Sequence, residues 1–177
     1  MSIKTVTVFG SAFPKPGEPE YEFAYKLGHL LGLNGIDVCS GGYLGIMEAA
    51  SKGAVEAGAK AIGVTLNFFN YEHNEYITDE IRTESLFDRI KVLMDIGDAY
   101  IILKGGTGTL LELAAVWESV NKEFTTPKLI IADEEYWKPL TFLMDERMRF
   151  EGRRTGIVKS FNNEEDIINS LKSVNQV

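Results

Sequence analysis

The stretch Lys104-Gly105-Gly106-Thr107-Gly108-Thr109-Leu110-Leu111-Glu112 joins an apolar run, Ala99 to Leu103, to a helix-like run that begins at Leu110. A strand, a glycine turn and a helix N-terminus in that order suit an anion. Residues without a Cβ let backbone N–H groups approach closely, and the first helical turn adds unpaired N–H groups and a positive dipole end. Phosphate is the ligand that fits. A Walker loop is excluded because no GxxxxGK[ST] arrangement is present, and the partial G-x-G-x-x match from Gly106 to Leu111 lacks its third glycine. Glu112 brings a carboxylate to this turn, yet Thr109-x-x-Glu112 also spells a capping box, in which the glutamate reaches back to the Thr109 amide. Arg89 offers a planar donor fork that can clamp a phosphate or polarise a departing group, or it is a solvent-facing helix arginine paired with Asp88 or Asp95. Ser11 and Thr109 are turn or cap residues, phosphate ligands, or both.

These residues, taken together, resemble the LOG family of cytokinin-activating phosphoribohydrolases, whose signature is PGGxGTxxE. Gly105, Gly106, Gly108, Thr109 and Glu112 match it, and Lys104 stands at the proline position. Gly41-Gly42-Tyr43-Leu44-Gly45-Ile46-Met47-Glu48-Ala49-Ala50 is similar to the family's second motif, GGxxGxMxA, and Val8-Phe9-Gly10-Ser11-Ala12 is similar to its N-terminal loop. Arg89 falls at the motif arginine, and the likeness continues through Pro127-Lys128-Leu129-Ile130 and Tyr136-Trp137. The resemblance implies a homodimer that cleaves a purine, possibly N6-modified, nucleoside 5′-monophosphate into free base and ribose 5-phosphate, with Arg89 and Glu112 as catalytic residues. It also implies that Gly10, Ser11, Gly41, Gly42, Met47, Gly105, Gly106, Thr107, Gly108 and Thr109 bind the substrate and its phosphate. On sequence alone Met47 reads as helical core. Such a cleavage builds positive charge on the ribose as the N-glycosidic bond breaks, so a carboxylate near the anomeric carbon stabilises that state and orients water. Three positions depart from the family pattern: Lys104, Ile90 where members usually carry Lys, and Ala115 where many carry a second acid. A non-catalytic carrier of a nucleotide or a molybdopterin-type cofactor is the competing function, since fold does not fix function.

The elements that must position these residues alternate. Ile3 to Phe9, Ile36 to Cys39, Ala59 to Leu66, Ala99 to Leu103, Leu129 to Ala132 and Ile157 to Phe161 read as strands. Helical patterns run from Tyr21 to a cap at Asn34-Gly35, from Leu44 to about Ala57, from Ser85 to Gly97, from Leu110 to Lys122, from about Trp137 to Phe150, and through Ile167, Ile168 and Leu171. In the Ser85 helix, Ser85 and Asp88 are spaced as a capping box, and Leu86, Phe87, Ile90, Leu93 and Met94 form the predicted buried stripe with Arg89 off it. Asn67 to Ile77 breaks the alternation with Phe68, Phe69, Tyr71, His73 and Tyr76, which cover a base or plug a core edge or subunit interface. Strand and helix in this order predict an α/β, Rossmann-like, doubly wound and mainly parallel sheet with helices on both faces, with residues 1–177 forming one nucleotide-binding domain. Three strand ends, at Gly10, Gly41 and Gly105, carry glycine turns, so all three are expected at one crevice.

Composition bounds the partners. With 18 basic against 26 acidic residues, a formal net charge of −8 argues against nucleic acid and requires any anion site to be local. Cys39, the single cysteine, offers neither a disulfide nor a metal cluster and reads as a buried small hydrophobe in a reducing compartment. His29 and His73 have no metal-ligand spacing, so neither a metal nor a cofactor is expected. The N-terminus enters a strand pattern directly, and no apolar run reaches membrane-span length, so a cytoplasmic protein without membrane contact is expected.

Overall fold

Short β-branched and apolar runs that end at glycine or a polar turn form a sheet whose middle is apolar on both faces. The computed structural model describes residues 3–67 and 72–174. Its strands are β1 (Thr5–Phe9), β2 (Asp37–Ser40), β3 (Ala61–Leu66), β4 (Asp79–Thr83), β5 (Ala99–Ile102), β6 (Leu129–Asp133) and β7 (Val158–Phe161). Its helices are α1 (Pro19–Leu33), α2 (Ile46–Glu56), α3 (Leu86–Ile96), α4 (Thr107–Asn121), α5 (Glu134–Phe150) and α6 (Glu164–Val174). The sheet order is β4-β3-β2-β1-β5-β6-β7, and every neighbouring pair is parallel. Parallel neighbours need crossovers of one hand, so reversing the order at β1 sends successive helices to opposite faces. One core packs α1, α2 and α6 on one face, through Leu27, Leu31, Ile46, Ala50, Ile167 and Leu171. A second packs α3, α4 and α5 on the other, through Leu93, Leu113, Val116, Trp117 and Trp137. All four residues of β5 are buried, as a strand covered on both faces requires. Truncating a fully enclosed side chain such as Leu113 to Ala costs about 2–5 kcal/mol.

Two local expectations need correction. In α3, Ser85 does cap the helix, its side chain accepting from the Asp88 amide at 3.1 Å. The buried face, however, is Arg89, Ile90 and Leu93, while Leu86 and Phe87 are 44% and 74% exposed. In α4 the N-cap is Gly106 and the first turn is Thr107, Gly108 and Thr109, so Glu112 sits a full turn beyond the capping-box position. The edge strand β4 has no counterpart among the predicted strands. Its sequence, Asp-Glu-Ile-Arg-Thr, is exposed except at Thr83, and pairing with β3 rather than apolar burial holds it in the sheet. Of the aromatic stretch, Phe68, Phe69 and Tyr71 lie outside the described residues. Among the described residues, no helix is long and apolar enough to cross a membrane.

Candidate active site

The carboxyl ends of β2, β1 and β5 are neighbours at the point where the strand order reverses, so the glycine turns after these strands share one edge of the sheet. In open α/β sheets this edge forms the crevice in which ligands bind. Backbone hydrogen bonds lock the turns together: the Ser11 amide donates to the Lys104 carbonyl at 3.0 Å, and the Ile46 amide to the Ser11 carbonyl at 2.9 Å. Gly45, with φ +68°, makes the second contact possible, because a Cβ there would stand 2.5 Å from the Ser11 carbonyl oxygen. A wide hollow of about 720 Å³ opens in front of Ser11 and Lys104.

The two helix starts at this edge differ in what they offer an anion. At α2 the Ile46 amide is occupied by Ser11, and the Gly42 amide donates to Ser40 Oγ at 3.1 Å. The structure thus gives Gly42 an internal use rather than a free donor. Its carbonyl accepts from the Asn74 amide at 2.8 Å and from Asn74 Nδ2 at 3.1 Å. At α4 the cap is a glycine without a side-chain acceptor, and the first helical bond runs from the Leu110 amide to the Gly106 carbonyl. The amides of Thr107, Gly108 and Thr109 precede that bond, and Gly106, Thr107 and Gly108 are exposed. Thr109 is buried and folds back over Gly105, where a Cβ would lie 2.2 Å from its hydroxyl. The α4 start therefore presents the open donors and the positive dipole end.

Arg89 and Glu112 meet beside this edge from two different helices. Arg89 is only 8% exposed. Its Nε donates to the Val64 carbonyl at 2.7 Å, which fixes the plane of the guanidinium. Nη1 lies 3.7 Å from Glu112 Oε1, and the guanidinium carbon is 5.6 Å from the centre of the Tyr43 ring. The remaining nitrogen, Nη2, passes over Gly41: a Cβ there would stand 1.8 Å from it and 2.7 Å from Met47 Sδ. Gly41, Met47, Arg89 and Glu112 are thus one cluster. The acids considered as partners for Arg89 are engaged elsewhere, Asp88 with Ser85 and Asp95 with Lys91. Gly10 lies against Ile46, whose side chain a Cβ there would meet at 2.6 Å. At the position where the family usually carries Lys, Ile90 is uncharged and buried, and its neighbour Lys91 is exposed and paired with Asp95, so neither supplies a second cation to the cluster.

Burial pushes the Glu112 carboxyl up to about 7, against the opposing pull of Arg89. A carboxyl that titrates near neutrality inside a crevice is suited to hold or exchange a proton, or to face a developing positive charge. Burial likewise pushes the Cys39 thiol up to about 12, which leaves it a packed, unreactive group. Among the described residues, no group of three or more His, Cys, Asp or Glu side chains could hold a metal. An apolar groove of about 350 Å³ lies between α4 and α5, lined by Leu110, Trp117, Leu140 and Met144 among others, and neither Arg89 nor Glu112 reaches it.

Two residues of this neighbourhood are absent from the predicted site. Tyr43, inside the second glycine motif, faces Arg89, and its hydroxyl accepts from the Leu66 amide at 2.9 Å. Asn74 is buried and bonds the Gly42 and Tyr43 carbonyls. Tyr43 is signalled by its place between Gly42 and Gly45. Asn74 has no local signal, because its partners are some thirty residues away along the chain.

Comparison with known proteins agrees with the motif pattern. The cytokinin riboside 5′-monophosphate phosphoribohydrolase of Rhodococcoides fascians is 27% identical over 143 residues, covering 77% of this chain and 72% of that protein. The protein of the same name from Mycobacterium tuberculosis is 34% identical over 116 residues, covering 64% of this chain and 62% of that one. The solved molybdenum cofactor binding protein of Rippkaea orientalis shares the fold, with a TM-score of 0.75 at 23% identity over 98% of both chains. A family model matches residues 3–134, a span that holds all three glycine turns, Arg89 and Glu112, and the chain belongs to the SLOG cluster4 family.

Proposed function

We propose that the chain hydrolyses the N-glycosidic bond of a purine nucleoside 5′-monophosphate, with N6-modified purines within its range, to free base and ribose 5-phosphate. The observation that carries this is the Arg89–Glu112 pair, with its near-neutral carboxyl, beside the uncapped start of α4. The phosphate sits on the amides of the Gly105 to Thr109 turn, with Ser11 beside it. This remote anchor holds the anomeric carbon against Glu112, so binding energy at the phosphate serves the reacting bond. In the reaction, the C1′–N bond breaks and its electron pair leaves with the base, which takes up a proton. A water oxygen bonds to C1′ and gives up a proton. The ionised Glu112 stabilises the oxocarbenium-like ribose and accepts that proton, while Arg89 keeps the carboxylate in place and presents Nη2 to the substrate.

The relatives named as phosphoribohydrolases support this assignment. This chain shares its fold with the molybdenum cofactor binding protein of Rippkaea, but binding and release alone need no buried carboxyl opposed to an arginine. The same assignment brings a homodimer in a cytoplasmic setting. Exposed Phe142, Leu143 and Phe150 on α5 support pairing, which sedimentation tests, and the unpaired buried thiol of Cys39 suits a reducing compartment. A screen of nucleoside monophosphates read by release of free base tests the activity. AMP should be cleaved with a far higher kcat/KM than adenosine. Equal values would contradict the phosphate anchor, and tight AMP binding without turnover would contradict the hydrolase.

A further inference from the structure

The turn that begins α4 is tied down from its rear by the start of α5. Three successive carbonyls of the turn each accept a hydrogen bond: Leu103 from Trp137 Nε1 at 3.1 Å, Lys104 from the Ser11 amide at 3.0 Å, and Gly105 from the Tyr136 hydroxyl at 2.8 Å. The donors are themselves fixed. Asp133 caps α5 by accepting from the Tyr136 amide at 2.8 Å, and the two rings pack edge to face with centroids 5.0 Å apart. Glu135, between Asp133 and Tyr136 on the same turn, pairs with Lys104 Nζ at 3.3 Å.

In a planar trans peptide the carbonyl and the N–H point in opposite directions, and the described chain contains no cis bond. A carbonyl drawn toward α5 therefore turns the following N–H away from α5. The Tyr136 bond sets the Gly105–Gly106 peptide in this way, immediately before the exposed residues Thr107 and Gly108. It also keeps the negative end of that peptide from facing the anion. Glycine on both sides of the peptide removes the Cβ constraints that would otherwise bias its orientation, and between the bonded Lys104 and Gly106 carbonyls Tyr136 is the side chain that holds it. We propose that Tyr136 is a positioning residue for anion binding, acting through the Gly105 carbonyl to hold the Gly106 amide toward the phosphate of the ligand. This rests on the phosphate site proposed above.

The test is Tyr136→Phe, which deletes one hydroxyl from a side chain that is 48% exposed and leaves the ring packing in place. Affinities for inorganic phosphate, ribose 5-phosphate and adenine are measured by calorimetry on wild type and variant, alongside melting curves. Phosphate and ribose 5-phosphate should each bind about three- to tenfold more weakly to the variant, adenine should bind equally, and the melting temperature should stay close to wild type. Wild type that binds phosphate and a variant that binds it equally would overturn the role of Tyr136 and leave the phosphate site standing. Equal losses for phosphate and adenine would also overturn it, because that is the mark of a general structural defect. Wild type that binds neither phosphate nor ribose 5-phosphate would overturn the site and the role together.

Discussion

Glu112 Oε1 stands 3.7 Å from Arg89 Nη1, outside hydrogen-bond reach, although the two side chains are only 13% and 10% exposed. The arginine balances the charge of the carboxylate without occupying its lone pairs. Burial is then free to raise the carboxyl toward neutrality, and both groups retain valence for a ligand.

The first consequence is a pH profile. Glu112 acts as a carboxylate, so kcat/KM should be lost as pH falls through about 7, roughly tenfold per unit below it, and should be level above. An acidic limb near the ordinary glutamate range would mean that the group does not titrate as its burial requires. Stability follows the opposite sign. A carboxyl raised on folding binds its proton more tightly in the native chain, so ionising it costs stability as pH rises from the unfolded value, about 4.5, to about 7. Relative to Glu112→Gln, wild type should lose up to about 3 kcal/mol across that interval and no more above it, as equilibrium unfolding of both proteins would measure.

Arg89→Met should act on both partners. It removes the donor fork from the site and the group that holds the Glu112 carboxyl down, so the acidic limb of the residual activity should move upward. Base release at pH 8 should fall by a factor on the order of a hundred. A variant with near-normal rate and an unmoved limb would show that Arg89 is structural.

The sheet and its glycine turns are legible in the sequence because each strand is a short apolar run and each turn is punctuated by glycine. The site is legible in its residue types, but not in its helix faces. A helix buried on one side predicts Leu86 and Phe87 inside and Arg89 out, whereas the chain buries Arg89 against the Val64 carbonyl and leaves both hydrophobes exposed. Periodicity reports apolar burial, and a functional cluster is where burial is given to a charged group instead. The Thr109-x-x-Glu112 spacing is ambiguous for a related reason. Only the observed helix start, two residues before Thr109, shows that Glu112 is too far along α4 to cap it. The strand β4 carries too many charges to be read as a strand, and Asn74 acts across a distance that spacing does not reveal.

Gly41→Ala should separate site geometry from stability. The new methyl group would displace the end of the Arg89 side chain and Met47 Sδ, which are side-chain atoms rather than backbone. Its thermodynamic cost should stay within about 1–3 kcal/mol, the usual range for overpacking, while kcat should drop by a factor of about ten or more. Unfolding curves with steady-state kinetics on AMP check both halves. Normal kcat in the folded variant would show that Arg89 can work from another position.

Glu112→Gln carries the central claim. Gln keeps the shape of the side chain and removes the negative charge that an oxocarbenium-like state requires. Because Glu112 lies beyond the capping position of α4, no cap is lost with it. The measurement is base release from AMP by wild type and Glu112→Gln above pH 7.5, with nucleotide affinity and melting temperature recorded on the same samples. Retained affinity, an intact fold and a kcat lower by a factor on the order of a hundred or more are expected. Full base release by a well-folded Glu112→Gln protein would contradict the mechanism, even with the nucleotide bound at the start of α4.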